Sequence, residues 1–271
     1  MFLVVVMTAK ADSGSETECC TSDLNLRMLS EFRFCTMKTR LILFDLYKTL
    51  IDMSIDEASI ESWSNLALFL RYKDIHCDAE ALRKTFFLTI QQEYQSRLAE
   101  TPYPEIDMVT VLRKALAVDQ TVDEHVLIDA LQMLRALITR HFGLFPDVLP
   151  ILAQLKPKYQ LGLVTNAYRL YAEAEIRMLG LDQWWDVVVM SSDHGISKPA
   201  PELFQLALEQ LQISPAEAIY VGDSIEHDVA GARNAGLKVV HIRREDLVAN
   251  HSQPLPDWSI QSLDELLSIV N

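Results

Sequence analysis

The sequence predicts an α/β fold, a doubly wound parallel sheet with a block of four helices inserted after its first strand. Three observations carry this expectation. Leu41 to Phe44 is an apolar run of strand length with no polar position, the pattern of a strand covered on both faces. From Gly143 onward, strand-length and helix-length patterns alternate, as crossover connections of a parallel sheet require. Between Asp52 and Gly143 the periods are helical throughout, and no strand is expected there.

The elements follow in order. The first strand ends in Asp45, with Thr49 four residues further on. Ser54-Ile55-Asp56-Glu57 has the form of a capping box, and Ile60, Trp63, Ala67 and Leu70 recur at helical spacing to about Tyr72. Asp78 can cap a second helix carrying Leu82, Phe86, Phe87, Ile90 and Tyr94, which Thr101-Pro102-Tyr103-Pro104 ends. Ile106, Val109, Leu112 and Leu116 mark a third. Thr121-Val122-Asp123-Glu124 is a second capping box, opening a fourth helix with Leu127, Leu131, Leu134 and Ile138 in register. Helices are then expected over Pro146–Leu155, Tyr168–Leu179, Pro201–Gln212, Glu226–Ala235 and Ser262–Val270. Strands are expected over Gln160–Val164, Asp186–Met190, Ala218–Val221 and Lys238–Ile242.

At 271 residues and 49% hydrophobic content, the chain can bury one large core and a second, smaller one. The expected division is a sheet domain of residues 37–52 and 143–271, a helical domain of 53–142, and an N-terminal extension of 1–36. Met1 to Met7 is too short for a membrane span, and Ala11 to Asp23 reads as disordered. Met37, directly before the first strand, is a candidate start of the folded part. With 24 Lys and Arg against 38 Asp and Glu, the net charge is -14, so nucleic acid and anionic membrane are poor partners. Cys19, Cys20, Cys35 and Cys77 have no metal-binding spacing, which suits a cytoplasmic, disulfide-free protein.

Several strands end in residues that chemistry can use. The first ends in Asp45, the next, Gln160–Val164, in Thr165-Asn166, and the strand from Ala218 in Gly222-Asp223-Ser224, with Asp228 just beyond. Lys198-Pro199 follows Ser191-Ser192-Asp193. A parallel sheet puts all these ends on one edge, so Asp45, Thr165, Lys198, Asp223 and Asp228 should converge. Carboxylates held that close repel one another unless cations compensate them. Lys198 can neutralise one, and a hard divalent ion such as Mg²⁺ suits the others. A nucleophile, a metal and a lysine are parts that phosphoryl transfer uses.

The order Asp45-x-x-x-Thr49, Thr165-Asn166, Lys198-Pro199 and Gly222-Asp223 with Asp228 resembles the haloacid dehalogenase (HAD) superfamily of hydrolases. The helical insertion looks like the cap of its dehalogenase-like and phosphoglycolate-phosphatase-like branch, on a Rossmann-like core. The resemblance covers the chain from about Met37 to the C-terminus. It implies that Asp45 is a nucleophile forming a covalent aspartyl intermediate. Thr165 and Asn166 would hold the transferred group, with Tyr47 and Thr49 also facing substrate, and Lys198 would pair with Asp45. Mg²⁺ would be held by Asp45, Asp223, the backbone carbonyl of Tyr47, and Asp228 directly or through water.

One position departs from the phosphatases of that family. They carry a second aspartate two residues past the nucleophile, as general acid and base; here Tyr47 stands there, and Lys48 replaces the usual glycine. Such acid–base help is commonly worth about a hundredfold to ten-thousandfold. Tyrosine occurs at this position in the dehalogenases proper, whose halide leaves without a proton, but those enzymes use no metal and lack the Gly222-Asp223-Ser224 sequence. A Mg²⁺-dependent hydrolase of a small, anionic phosphorylated metabolite is favoured. A halide-releasing hydrolase and a weakly active binder of a phosphate compound or protein remain the alternatives. A monomer or homodimer is expected.

Overall fold

The computed structural model describes residues 38–244 and 254–270. The expected extension, the candidate start at Met37 and Cys19, Cys20 and Cys35 lie outside the described residues. The first strand, β1 (Leu41–Phe44), is buried along its whole length. It pairs in parallel with β4 (Gln160–Thr165) on one side and with β6 (Ala218–Gly222) on the other. The sheet has six strands in the order β5-β4-β1-β6-β7-β8, with β5 over Val187–Met190, β7 over Lys238–Ile242 and β8 over Trp258–Ile260. The chain runs outward from β1 through β4 to β5 and then returns to the far side of β1 at β6. The strand order therefore reverses beside β1, where open sheets hold ligands at their carboxyl ends.

Alternation along β1 feeds both faces. Ile42 and Phe44 enter one apolar cluster with helix α5 (Val148–Leu155) and helix α6 (Arg169–Met178). Leu41 and Leu43 enter another with α7 (Glu202–Leu211) and α8 (Ala230–Asn234). A strand covered on both faces is thus anchored from both sides, and Asp45 just beyond it inherits that rigidity.

The insertion differs from the expectation at its ends. Residues Ile51–Ile55 form β2, paired antiparallel with β3 (Thr139–Leu144), so two strands occupy a stretch expected to have none. The Ser54 to Glu57 pattern is not a helix cap; Ser54 and Ile55 are in β2, and Ser59 caps helix α1 (Ile60–Arg71) through the Ser62 amide. β2 buries Ile51 and Met53 while Asp52 is half-buried, a two-residue alternation too short to stand out. Its partner strand comes only after all four helices, so the pairing has no local signal.

Helices α2 (Ala79–Arg97), α3 (Met108–Ala115) and α4 (Glu124–Ile138) are capped by the side chains of Asp78, Asp107 and Asp123. The cap of α4 is therefore Asp123 rather than Thr121. The four helices share an apolar core in which the Trp63 ring meets Phe86 edge-on with centroids 5.3 Å apart. Tyr171 of α6 also enters this core, tying the insertion to the sheet domain. The helix expected over Glu226–Ala235 is a wider turn, Ile225–Val229, followed by α8. Closing α9 covers only Leu266–Val270.

Candidate active site

β1 continues its hydrogen bonding one residue past its end, Asp45 N donating to Val221 O at 2.9 Å. The Asp45 carboxylate accepts from Lys198 Nζ at 2.6 Å. The same ammonium, almost wholly buried, donates to Asp228 Oδ1 at 2.5 Å and to the Tyr220 hydroxyl at 2.8 Å. Tyr220 Oη also lies 2.8 Å from the carbonyl of Val164 and 2.9 Å from Asp228 Oδ1. Burial opposes the charge on Lys198, but Asp228 and Asp45 outweigh it and hold the amine above the ordinary lysine range. Burial raises the Asp45 carboxyl, as does Asp228, while Lys198 and the Thr165 hydroxyl act against this.

Asp228 and Asp223 leave the same turn in different states. Both oxygens of Asp228 are engaged, Oδ1 by Lys198 and Tyr220 and Oδ2 by the Ser224 amide at 2.9 Å. Gly222 makes this possible, because a Cβ there would stand 2.4 Å from Asp228 Cγ. The turn widens so that Ser224 O accepts from the amides of both Asp228 and Val229, which brings Asp228 back under Gly222. Asp223 has Thr49 Oγ1 at 3.5 Å, too far for a strong bond. Burial, then Asp228 and Asp45, push the Asp223 carboxyl up to about 8. His241, whose Nε2 lies 2.9 Å from the Asp223 carbonyl, is pushed down by burial and does not balance the charge.

Oxygens of Asp45, Asp223 and Asp228 lie within 4.8 Å of one another. Three carboxylates against one lysine are a hard-oxygen donor set with surplus negative charge, and this fits a divalent cation such as Mg²⁺. Asp45 and Asp223 are the side chains best placed to hold it, with the Tyr47 carbonyl on the same loop. Asp228 is taken up by lysine and backbone.

The structure brings Asp45, Thr165, Lys198, Asp223, Asp228 and Thr49 to one edge. Asn166 is there too, but its amide is spent on the backbone of Lys198, Oδ1 accepting from Lys198 N at 2.7 Å and Nδ2 donating to Lys198 O at 3.1 Å. It positions the lysine loop. The Tyr47 hydroxyl donates to Glu175 Oε2 at 2.5 Å, and the Arg135 guanidinium lies 5.2 Å from the centre of its ring. Burial pushes the phenol well above its usual range, so it stays protonated.

Tyr220, Glu175 and Arg135 were not foreseen. Tyr220 hides as an ordinary strand aromatic. Arg135 and Glu175 did leave a signal: each falls four residues after a buried residue of its helix, Leu131 and Tyr171, and so puts a charge on a buried face.

The fold and the site set a buried carboxylate, Asp45, at the end of the first strand of a doubly wound sheet, beside Lys198 and two further carboxylates. Residues 39–236 match the family model of the haloacid dehalogenase-like hydrolases. The chain belongs to that family. Its sequence is 36% identical over 130 residues to glyceraldehyde 3-phosphate phosphatase of Methanopyrus kandleri, covering 46% of this chain and 56% of that one. It is 32% identical over 132 residues to human N-acylneuraminate-9-phosphatase, covering 48% and 53%. The chain thus spans about half the length of these curated relatives. Among solved structures, a 2-haloacid dehalogenase from Pseudomonas syringae pv. Tomato superposes with a TM-score of 0.66 at 24% identity, over 86% of this chain and 98% of that one. A HAD phosphatase from Thermococcus onnurineus gives 0.57 at 25% identity, over the same shares.

Proposed function

We propose that the protein is a Mg²⁺-dependent phosphatase of a small phosphorylated metabolite, working through an aspartyl-phosphate on Asp45. The observation that carries this reading is the charge imbalance of the site, with Asp223 kept beside Asp45 and Asp228 while Lys198 contacts only those two carboxylates. That the sequence relatives are phosphatases supports it. When bound, Mg²⁺ supplies charge neutralisation for the phosphoryl oxygens.

Asp45 Oδ attacks phosphorus, its bond to phosphorus forms as the bond to the leaving oxygen breaks, and water later cleaves the aspartyl-phosphate. Lys198 and Thr165 face the charge that the transferred group carries. Asn166 keeps Lys198 in place through its backbone. Tyr47, committed to Glu175, does not act as the acid, so esters with good leaving groups turn over best. The substrate is anionic and small, drawn by the local charge of Lys198 in a chain that is acidic overall, and a cytoplasmic monomer or homodimer suits it. Among the described residues, no helix is long and apolar enough to cross a membrane.

A second reading, halide release from a 2-haloacid, is favoured by Tyr47 alone. The deciding test is hydrolysis of an aryl phosphate and of a 2-haloacid, each with Mg²⁺ and with chelator. Phosphate release that chelator stops supports the proposal, and metal-independent halide release overturns it. Tyr47→Asp should raise turnover of alkyl phosphates about tenfold or more. An unchanged rate would show that no acid is missing.

A further inference from the structure

Among the described residues, the polar contacts between the insertion and the sheet domain include Gln132 Nε2 of α4 donating to the Leu170 carbonyl of α6 at 2.9 Å, and two further ones matter for the site. One is Arg135 with Glu175, a turn before the chain leaves α4 for β3. The other is at the loop between α2 and α3. There Glu105 N donates to Gly195 O at 3.0 Å and Ser197 N donates to Tyr103 O at 2.9 Å. Pro104 and Ile196 form the antiparallel bridge between these bonds. Gly195 to Ser197 is the segment directly before Lys198. Gly195 has a φ of +70°, a left-handed turn that glycine makes without strain.

A side chain reinforces the bridge. The Glu105 carboxyl is buried, 7% exposed, in a loop of the insertion, yet the hydroxyls that face it, Ser191 and Tyr168, belong to the sheet domain. The Ile106 amide donates to its Oε1 at 3.0 Å, and Arg97 donates to its backbone carbonyl. Burial pushes this carboxyl above its ordinary range, the hydroxyls and Arg97 working the other way. A buried carboxyl is costly unless hydrogen-bonded, and the Tyr168 hydroxyl that bonds it belongs to the opposite domain, so its burial depends on docking.

We propose that Glu105 is a positioning residue that, with the Tyr103–Glu105 bridge, latches the helical insertion onto Gly195–Ser197 and so sets where Lys198 Nζ stands against Asp45. The lysine segment is then held from two sides, by the insertion through residues 195 and 197 and by Asn166 through Lys198. The catalytic consequence rests on the reading of Asp45 and Lys198 given above, whereas the latch itself does not.

The test uses the full chain with Glu105→Ala, Glu105→Gln and Tyr168→Phe, reading amide hydrogen exchange and aryl phosphate kinetics. In Glu105→Ala the amides of Glu105 and Ser197 should exchange about tenfold or more faster, with β1 unchanged. Its kcat should fall about tenfold while KM stays within about twofold, because a displaced lysine affects reaction more than binding. Glu105→Gln, which can still accept from the Tyr168 hydroxyl, should restore exchange and kcat. Tyr168→Phe should move both in the direction of Glu105→Ala, and it decides the matter if that variant does not fold. Unchanged exchange at both amides in Glu105→Ala, or in Tyr168→Phe where only that variant folds, overturns the latch. A raised KM with unchanged kcat overturns the positioning role. A wild-type protein that leaves aryl phosphate intact removes the phosphatase reading, and exchange alone then decides the latch.

Discussion

Two buried ionic clusters lie on either side of the loop after β1, and they differ in charge balance. Around Lys198, one cation meets Asp45 and Asp228 directly, with Asp223 beside them. Around Arg135, one cation meets one carboxylate, Glu175, at 2.8 Å, and the remaining Glu175 oxygen accepts from Tyr47. The second cluster is neutral and complete, as a structural ion pair must be when buried. The first carries surplus negative charge, which is the basis for proposing it as the place for a metal and for chemistry. Tyr47 and Asp45, two residues apart, thus serve opposite purposes.

The contrast can be broken at several points. The largest effect belongs to Asp45→Asn, which should lower aryl phosphate turnover by about a thousandfold or more, since it removes the proposed nucleophile. Turnover that survives would move the chemistry elsewhere. Next, Arg135→Met should cost about 3–5 kcal/mol in urea unfolding by leaving Glu175 buried without its cation, and adding Glu175→Gln should recover much of it. A double variant as unstable as the single one would mean that this cluster is not a balanced pair.

In the Lys198 cluster the expectation reverses. Mg²⁺ at about a hundred times its Kd should stabilise the fold by about 2.7 kcal/mol, read as a rise in Tm. Asp223→Asn should raise Tm in chelator, because it removes surplus charge, and should abolish the Mg²⁺-dependent rise. A drop in Tm in chelator would show that the surplus is imaginary. The smallest effect concerns Lys48, which has a φ of +62°, in the left-handed region that favours glycine. Lys48→Gly should stabilise the chain by about 1 kcal/mol or less, measured by denaturant midpoint.

Much of the candidate site was legible because several of its side chains stand directly after apolar strands. Asp45 follows an apolar strand, Thr165-Asn166 and Gly222-Asp223 follow others, and the order of strands did the rest. The β2–β3 hairpin was not legible, since its strands are short and its pairing spans the whole insertion. The Ser54 to Glu57 pattern misled because a capping box is only a potential; pairing with β3 buried Met53 and prevailed over the helix start. Glu175, Arg135 and Glu105 are single charges whose meaning depends on a partner far along the chain.

By itself, the sequence determined the doubly wound sheet, the helical insertion and the edge at which Asp45, Lys198, Asp223 and Asp228 gather, because periodicity and strand ends are local and topology carries them to one place. Only the tertiary structure decided how the charges divide. It gave Asp228 to lysine and backbone, left Asp223 weakly held, turned the Tyr47 hydroxyl toward Glu175, and set Glu105 beside the lysine loop. Charge balance in a buried site is a sum over residues distant in sequence, and that sum exists only once the chain has folded.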